Sequence, residues 1–184
     1  RTVNENFITS LSGDGCIFDP KAAFVPYKIP TYDDLKSVYY TQSKAAKSTI
    51  TSLTSTSIFD QNVYLVNGDL NINSNPSGSG TAVIFVEGNL NFYAPAQFTF
   101  GGGSGGLVFV VKGDINILYT VTKIEAILVS EGSICTALIP AQVGGGYYCP
   151  DTLTLTEALT IDGSLINLDP QEPIKFRRTL ANNS

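Results

Sequence analysis

The apolar positions of the chain return in one recurring phrase. An apolar run is followed by a polar residue, a glycine, a small polar residue and an aliphatic residue. The phrase appears at 64–72 (Tyr-Leu-Val-Asn-Gly-Asp-Leu-Asn-Ile), 84–92, 109–117, 128–136 and 159–167. Its glycines, Gly68, Gly88, Gly113, Gly132 and Gly163, lie 20, 25, 19 and 31 residues apart. Repeats of about this length with uneven spacers predict stacked coils whose loops bulge independently.

Reading down the columns sharpens the expectation. The position two after the glycine is Leu70, Leu90, Ile115, Ile134 or Leu165, always aliphatic. The position four before it is Tyr64, Ile84, Phe109, Leu128 or Leu159, always large and apolar. The position just before it is Asn67, Glu87, Lys112, Glu131 or Asp162, always polar. Strand side chains alternate faces, so the apolar columns point inward and the polar column outward. The glycine falls on the inward parity, which predicts a bend or a close approach. In the polar column, stacking in chain order predicts Lys112 between Glu87 and Glu131.

The strand half before each glycine is apolar on both parities. Val63, Val83, Val108 and Ile127, and Leu65, Phe85, Val110 and Val129, stand on the side that should face water. Something must cover them. The candidate cover is a helix over about 31–46, with an apolar stripe of Tyr32, Leu35, Val38, Tyr39 and Ala46. Thr31 is its expected N-cap, with Asp34 at the position where a capping box usually has Glu or Gln. Residues 1–30 read as an irregular segment, and residues 48–57 as a Ser/Thr-rich connector. The breaker-rich stretches 74–80 and 101–106 read as turns. The longest insertion is expected at 137–156. The expected fold is therefore mainly β: a right-handed parallel β-solenoid of about five rungs over 31–184, with one N-terminal helix packed along its side.

Composition then narrows the chemistry. Among 184 residues there is no His, Met or Trp. This rules out His-dependent triads and His-ligated zinc or haem. A net charge of −5 argues against sequence-independent grip on nucleic acid. No run of about 20 apolar residues predicts a membrane span. The chain opens at Arg1 without Met, which reads as a processed product or a fragment. Charged residues make up only 15%, as in neutral, polar extracellular β proteins.

Three cysteines, Cys16, Cys135 and Cys149, show no metal-ligand spacing. Cys135 and Cys149 bracket the longest insertion, and a bridge there would contribute roughly 3 kcal/mol. The rival pairing is Cys16 with Cys135.

The polar columns offer little catalysis. Asp69, Asn89 and Asp114 lack the dense Gly-Asp nonapeptide of calcium solenoids and read as a ladder satisfying turn backbone. Asn71, Asn91 and Asn116 form a second column, expected to bond amide to amide. Asp69 and Asp114 are candidate carboxylates for polysaccharide cleavage, about 10 Å apart, but no basic cluster accompanies them. Thr152, Thr154, Thr156 and Thr160 lie along one strand rather than in the array that ice binding needs. Tyr147 and Tyr148, beside glycines, either stack on a sugar ring or cap their own loop.

The Gly-centred repeats, the Pro-Thr-Tyr-Asp-Asp-Leu-Lys helix ahead of them and the tail from Phe176 to Asn183 resemble bacterial surface proteins with short right-handed β-helices. Such proteins occur in adhesins and extracellular appendages. The resemblance covers about 31–184 and is architectural. It implies a non-enzymatic structural or adhesive role outside the cell, with no cofactor. Copies of the chain or other surface proteins are the implied partners, and the edge segment 2–7 is a candidate for strand addition to a neighbour. A glycan-binding module and a polysaccharide-degrading enzyme are the alternatives.

Overall fold

The computed structural model describes residues 28–45, 47–53, 62–76, 80–100, 106–141, 145–151 and 155–178. The chain is mainly β, built from parallel sheets with one short helical segment. The first sheet stacks Lys47–Thr49, Asn62–Val66, Thr81–Val86, Gly106–Val111, Ile127–Ser130 and Ser164–Asn167 in chain order. The second runs from Leu70–Ile72 through Leu90–Phe92 and Ile115–Leu118 to Ile134–Pro140. A third joins Gln97–Phe98, Lys123–Ile124 and Thr160–Ile161.

Register follows the repeat columns. Tyr64, Ile84, Phe109 and Leu128 align in the first sheet, and Leu70, Leu90, Ile115 and Ile134 in the second. These residues form one core with Phe92 of the second sheet and with Phe98 and Ile124 of the third. Val and Ile dominate the strands because branched side chains pack well on a pleated, buried surface.

Two expectations about the repeat are corrected. Ser48 and Thr49, read as the start of a connector, belong instead to a strand, Lys47–Thr49, paired with 63–65, and Leu53 behind it is buried in the core. The chain thus begins stacking one passage before the first glycine-centred phrase. At the other end, Leu165 aligns with Leu128, not with Ile134. Gly163 therefore opens a first-sheet strand and leaves the glycine column. A Cβ there would meet the Ala126 carbonyl rather than Gly132. The long interval of 31 residues and the absence of a continuous apolar run before Gly163 were the signals. The expected insertion also starts later, since Ile134–Pro140 is strand.

The other glycines meet for a reason different from core crowding. A Cβ on Gly88 would lie 2.6 Å from the carbonyl carbon of Gly68, and one on Gly113 2.9 Å from the Gly88 oxygen. The column stacks backbone on backbone. Gly88 N–H donates to the Gly68 carbonyl (3.0 Å), Gly113 to Gly88 (3.1 Å) and Gly132 to Gly113 (3.2 Å). The last carbonyl, on Gly132, accepts from the Asn167 side-chain amide (3.0 Å) instead of a fifth glycine. The single hydroxyl hydrogen of buried Ser130 is shared between the Gly113 (2.8 Å) and Gly132 (3.0 Å) carbonyls.

The helix covers the part of the outer face around Phe85 and Val110, whereas Val83, Val108 and Ile127, also expected to be covered, border an open groove and Ile127 is exposed. Tyr32, Leu35, Tyr40 and Ala45 pack with Val63, Phe85, Val110 and Val129. Tyr32 and Tyr40 meet the Phe85 ring edge-on at 5.9 and 6.3 Å. The helix is shorter than expected: Tyr32–Lys36 is α-helical and Ser37–Thr41 is a π turn. The wider turn inserts one residue per revolution. The inward stripe therefore passes to Tyr40, and Val38 and Tyr39 are exposed. Asp34 closes the capping box completely, accepting from Thr31 N–H (3.0 Å) while its own N–H donates to the Thr31 hydroxyl (3.2 Å).

Lys112 is also corrected. Backbone bonds from Lys112 to Val86 and from Glu131 to Val111 stack the polar column in chain order. The Lys112 ammonium nevertheless turns to Asp33 (3.4 Å), 5.8 Å over the Tyr32 ring, and Glu87 pairs with Lys36. The helix offers charges of both signs at closer range than the neighbouring rungs. Residues 1–27, with Cys16 and the 2–7 segment, lie outside the described residues, as do Thr152 and Thr154 and most of the 101–106 turn.

Candidate functional site

The outer face of the second sheet carries the most distinctive chemistry. Alternation buries Leu70 and Ile72 and turns Asn71 outward. Asn71, Asn91 and Asn116 share one register row, and Cys135 continues it. Asn91 donates its amide to Asn71 (2.9 Å), and Asn116 donates to Asn91 (3.0 Å). Asn91 is only 6% exposed, so the ladder satisfies amides that would be costly to bury alone.

Cys135 bonds Cys149, with an S–S distance of 2.06 Å and Cα atoms 5.9 Å apart. Of the two pairings open from the sequence, this one forms. The bridge draws the strand Tyr147–Tyr148 against Ile134–Pro140, pairing Ile139 with Tyr148 and Pro140 with Tyr147. Ala141 N–H donates to the Gly146 carbonyl (2.9 Å), closing the hairpin. Gly145 and Gly146 take positive φ (72° and 95°), which side-chain-bearing residues rarely adopt. Tyr147 then stacks on Tyr93, two positions beyond Asn91, at 5.1 Å with a 32° tilt. Burial and the neighbouring Tyr147 and Asp69 push the Tyr93 hydroxyl above its ordinary pKa. Tyr147 and Tyr148 remain 49% and 47% exposed. They do not form a closed core of their own loop. Tyr93 is the partner that the repeat pattern left unmarked, although it is an aromatic residue directly after a strand.

Arginines finish the same end. Arg177 donates Nε–H to the Pro150 carbonyl (2.8 Å). Arg178 donates to the carbonyls of Thr136 (2.6 Å) and Leu118 (2.9 Å). Burial lowers the Arg178 pKa, with Glu157 opposing that effect. The Arg178 guanidinium occupies main-chain acceptors where Ile115–Leu118 ends and where the register of Ile134–Pro140 shifts.

The carboxylates considered for catalysis are placed as backbone acceptors. Asp69 Oδ1 accepts from Asn89 N–H (2.7 Å), Asn89 Oδ1 from Asp114 N–H (2.8 Å) and Asp114 Oδ1 from Ser133 N–H (2.8 Å). This is the turn ladder expected of them. An open groove of about 790 Å3 runs past the first-sheet residues Val83, Val108 and Ile127 to Glu125 and Asp162. Glu125 pairs with Lys123 (2.5 Å) and accepts from Phe100 N–H (3.1 Å). Lys123, then that backbone bond, holds its carboxyl below the ordinary value, the reverse of what a general acid needs. Among the described residues no group of acidic or cysteine side chains is arranged to hold a metal ion, and no helix is long and apolar enough to cross a membrane.

Comparison with known proteins finds no matching family model, no similar curated protein and no similar solved structure.

Proposed function

We propose that this chain is a β-solenoid of right-handed parallel coils serving as a non-enzymatic structural or adhesive module outside the cell. The observation that carries the reading is the in-register parallel pairing of successive repeats in chain order, from 47–49 through 127–130. Strand–crossover–strand connections of this kind are right-handed in nearly all proteins. A rod of this type offers long side faces, and its carboxylates and amides serve the backbone rather than a substrate. The Cys135–Cys149 disulfide supports an oxidising compartment, where such bonds persist. The low charge and polar surface agree with that setting.

Sedimentation velocity and negative-stain electron microscopy of the native protein test the reading. Rod-shaped monomers or ordered end-to-end or side-to-side assemblies are expected, together with a non-reduced mass containing one intramolecular bridge. Three free thiols in protein isolated from its own cells, or release of reducing sugar from a neutral polysaccharide, would overturn it.

A further inference from the structure

The two sheets end unevenly at the start of the stack. Asn62–Val66, Thr81–Val86, Gly106–Val111 and Ile127–Ser130 are each followed by a strand of the second sheet. Lys47–Thr49 has no such companion among the described residues, so Leu70–Ile72 is the edge of its sheet there. An open edge of this kind is a template for a further strand.

The bonds left open on that edge define what fits it. At each later join the glycine N–H donates to the preceding glycine carbonyl, and the N–H of the next residue donates to the preceding Asp or Asn side chain. Leu70, Leu90 and Ile115 donate forward to the carbonyls of Asn89, Asp114 and Ser133. At the first join the equivalent groups are the N–H of Gly68, the N–H of Asp69 and the Asp69 carbonyl. Both residues are exposed, and these three groups have no partner among the described residues. Nothing lies within 4 Å of where a Gly68 Cβ would stand, which leaves room for the backbone approach seen at the later joins. The occupant must therefore present a carbonyl, then a short side-chain acceptor, then an N–H.

Outside this column the chain has one Gly-Asp or Gly-Asn pair, Gly13-Asp14. Aligned with Gly68 and Asp69, it sets Cys16 in the outward row of Asn71 and Ile17 in the inward column of Ile72, Phe92 and Ile117. Gly15 departs from the aliphatic column, and at this end of the stack Leu53 already adds a buried side chain to the same core. The first-sheet half of the coil is taken by Lys47–Thr49 and by Ile50, whose N–H donates to the Leu65 carbonyl. Only a second-sheet strand is wanting. Reach is sufficient: four strand spacings amount to about 19 Å and facing sheets lie about 10 Å apart. The 11 positions from Ile17 to Lys28 extend to about 36 Å.

We propose that residues 13–17 of the same chain add as a parallel strand to the open edge of Leu70–Ile72 and complete the first coil. The Gly13 carbonyl accepts from Gly68 N–H, the Asp14 carboxylate accepts from Asp69 N–H, and Gly15 N–H donates to the Asp69 carbonyl. The added strand closes this end of the stack to other chains.

Asn71→Cys in the full chain tests the register. Neighbouring strands lie about 4.8 Å apart, within the Cα separation that a disulfide spans. After mild oxidation, peptide mapping of the non-reduced protein is expected to show an intrachain bond from Cys16 to position 71, with Cys135–Cys149 retained. Asn73→Cys, exposed and two positions further along, is the control and should link about tenfold less, since its Cα lies about 7 Å from the matching position. In the unsubstituted chain the Gly68 and Asp69 amides should exchange slowly with solvent. Asp14→Ala should speed exchange at Asp69 about tenfold and leave Asp114 unchanged. Asp14→Asn should preserve the protection, because its amide oxygen still accepts and the like charge beside Asp69 is gone.

Fast exchange of both amides in the unsubstituted chain would overturn the proposal. So would linkage no greater at position 71 than at 73, which is the outcome if residues 54–56 take the edge instead. Linkage found only between chains would give the edge to a second copy and overturn it too. Circular dichroism confirms that each variant is folded.

Discussion

Two outer faces of the same stack are covered in opposite ways. On the first sheet, the outward rows are apolar, and a helical segment with Tyr32, Leu35 and Tyr40 lies over Phe85 and Val110. On the second sheet, the outward row is Asn71, Asn91 and Asn116, and a disulfide-tied hairpin lies beside it. The first cover is held mainly by area removed from water, which is roughly proportional and non-directional. The second is held by directed amide bonds and one covalent link. A helix accommodates a shift of one residue, as its π turn shows; an amide ladder loses two directed bonds when its middle member is removed.

Mutations at each face should therefore fail differently. The largest effect is expected from Phe85→Ala, which removes a fully buried ring between two tyrosines. A loss of about 3–5 kcal/mol is expected from cavity formation. Chemical denaturation measures it, and a loss below about 1 kcal/mol would mean that the helix contributes little to the fold. Cys135→Ser with Cys149→Ser should cost roughly 3 kcal/mol, mostly by releasing the loop closed over 14 positions. Under reducing conditions the wild-type chain should lose a similar amount, while the double variant should not respond.

Asn91→Ala removes both hydrogen bonds of the ladder at once, leaving exposed Asn71 and half-buried Asn116 without their ladder partner. It should cost about 1–3 kcal/mol. Asn91→Asp should not rescue it, because a carboxylate has no amide to donate to Asn71. An equally stable Asn91→Ala variant would show that the ladder follows the fold rather than supporting it.

The smallest effect belongs to the helix start. The Thr31 N–H, then the Lys28 ammonium and the Thr31 hydroxyl, hold Asp34 at about 2, below its ordinary carboxyl value. A depressed folded-state value means that stability is present above the unfolded value and lost as pH falls. Acid titration should therefore weaken the cap between about pH 4 and pH 2. Asp34→Asn should abolish that part of the acid dependence, read by thermal melts across this window. The Asp34 side chain is exposed to solvent, so the change is expected to be slight.

The sequence resolved the stack better than its ends. Four glycines and the inward aliphatic columns followed from the repeat, and the need for a cover over Phe85 from parity, because side chains along a regular strand alternate between faces. Gly163 did not follow, since Leu-Thr-Ile-Asp-Gly mimics the phrase locally while its strand pairs one column earlier. Tyr40 replaced Tyr39 because a π turn changes the period, and nothing in a 3.6-residue stripe announces it. Lys112 found Asp33 because charge pairing depends on what lies nearest in space, which a column read down the repeat cannot include. Tyr147 and Tyr148 were visible as residues, but the stacking of Tyr93 on Tyr147 depends on where the bridged hairpin lies.

The glycine column has a bearing on how such a chain changes in length. Each interval ends where a glycine rests on its predecessor and an Asp or Asn side chain reaches the next backbone N–H, across separations of 20, 25 and 19 residues. The seam is alike at every join, although the intervals are not. A gene duplication or deletion cut at these glycines would add or remove a whole repeat and leave matching backbone surfaces behind it, whereas a cut elsewhere would strand half a seam. Excision of residues 89–113 would place Asp114 directly after Gly88, with Ile115 falling where Leu90 had been. The fold thus carries its own splice points.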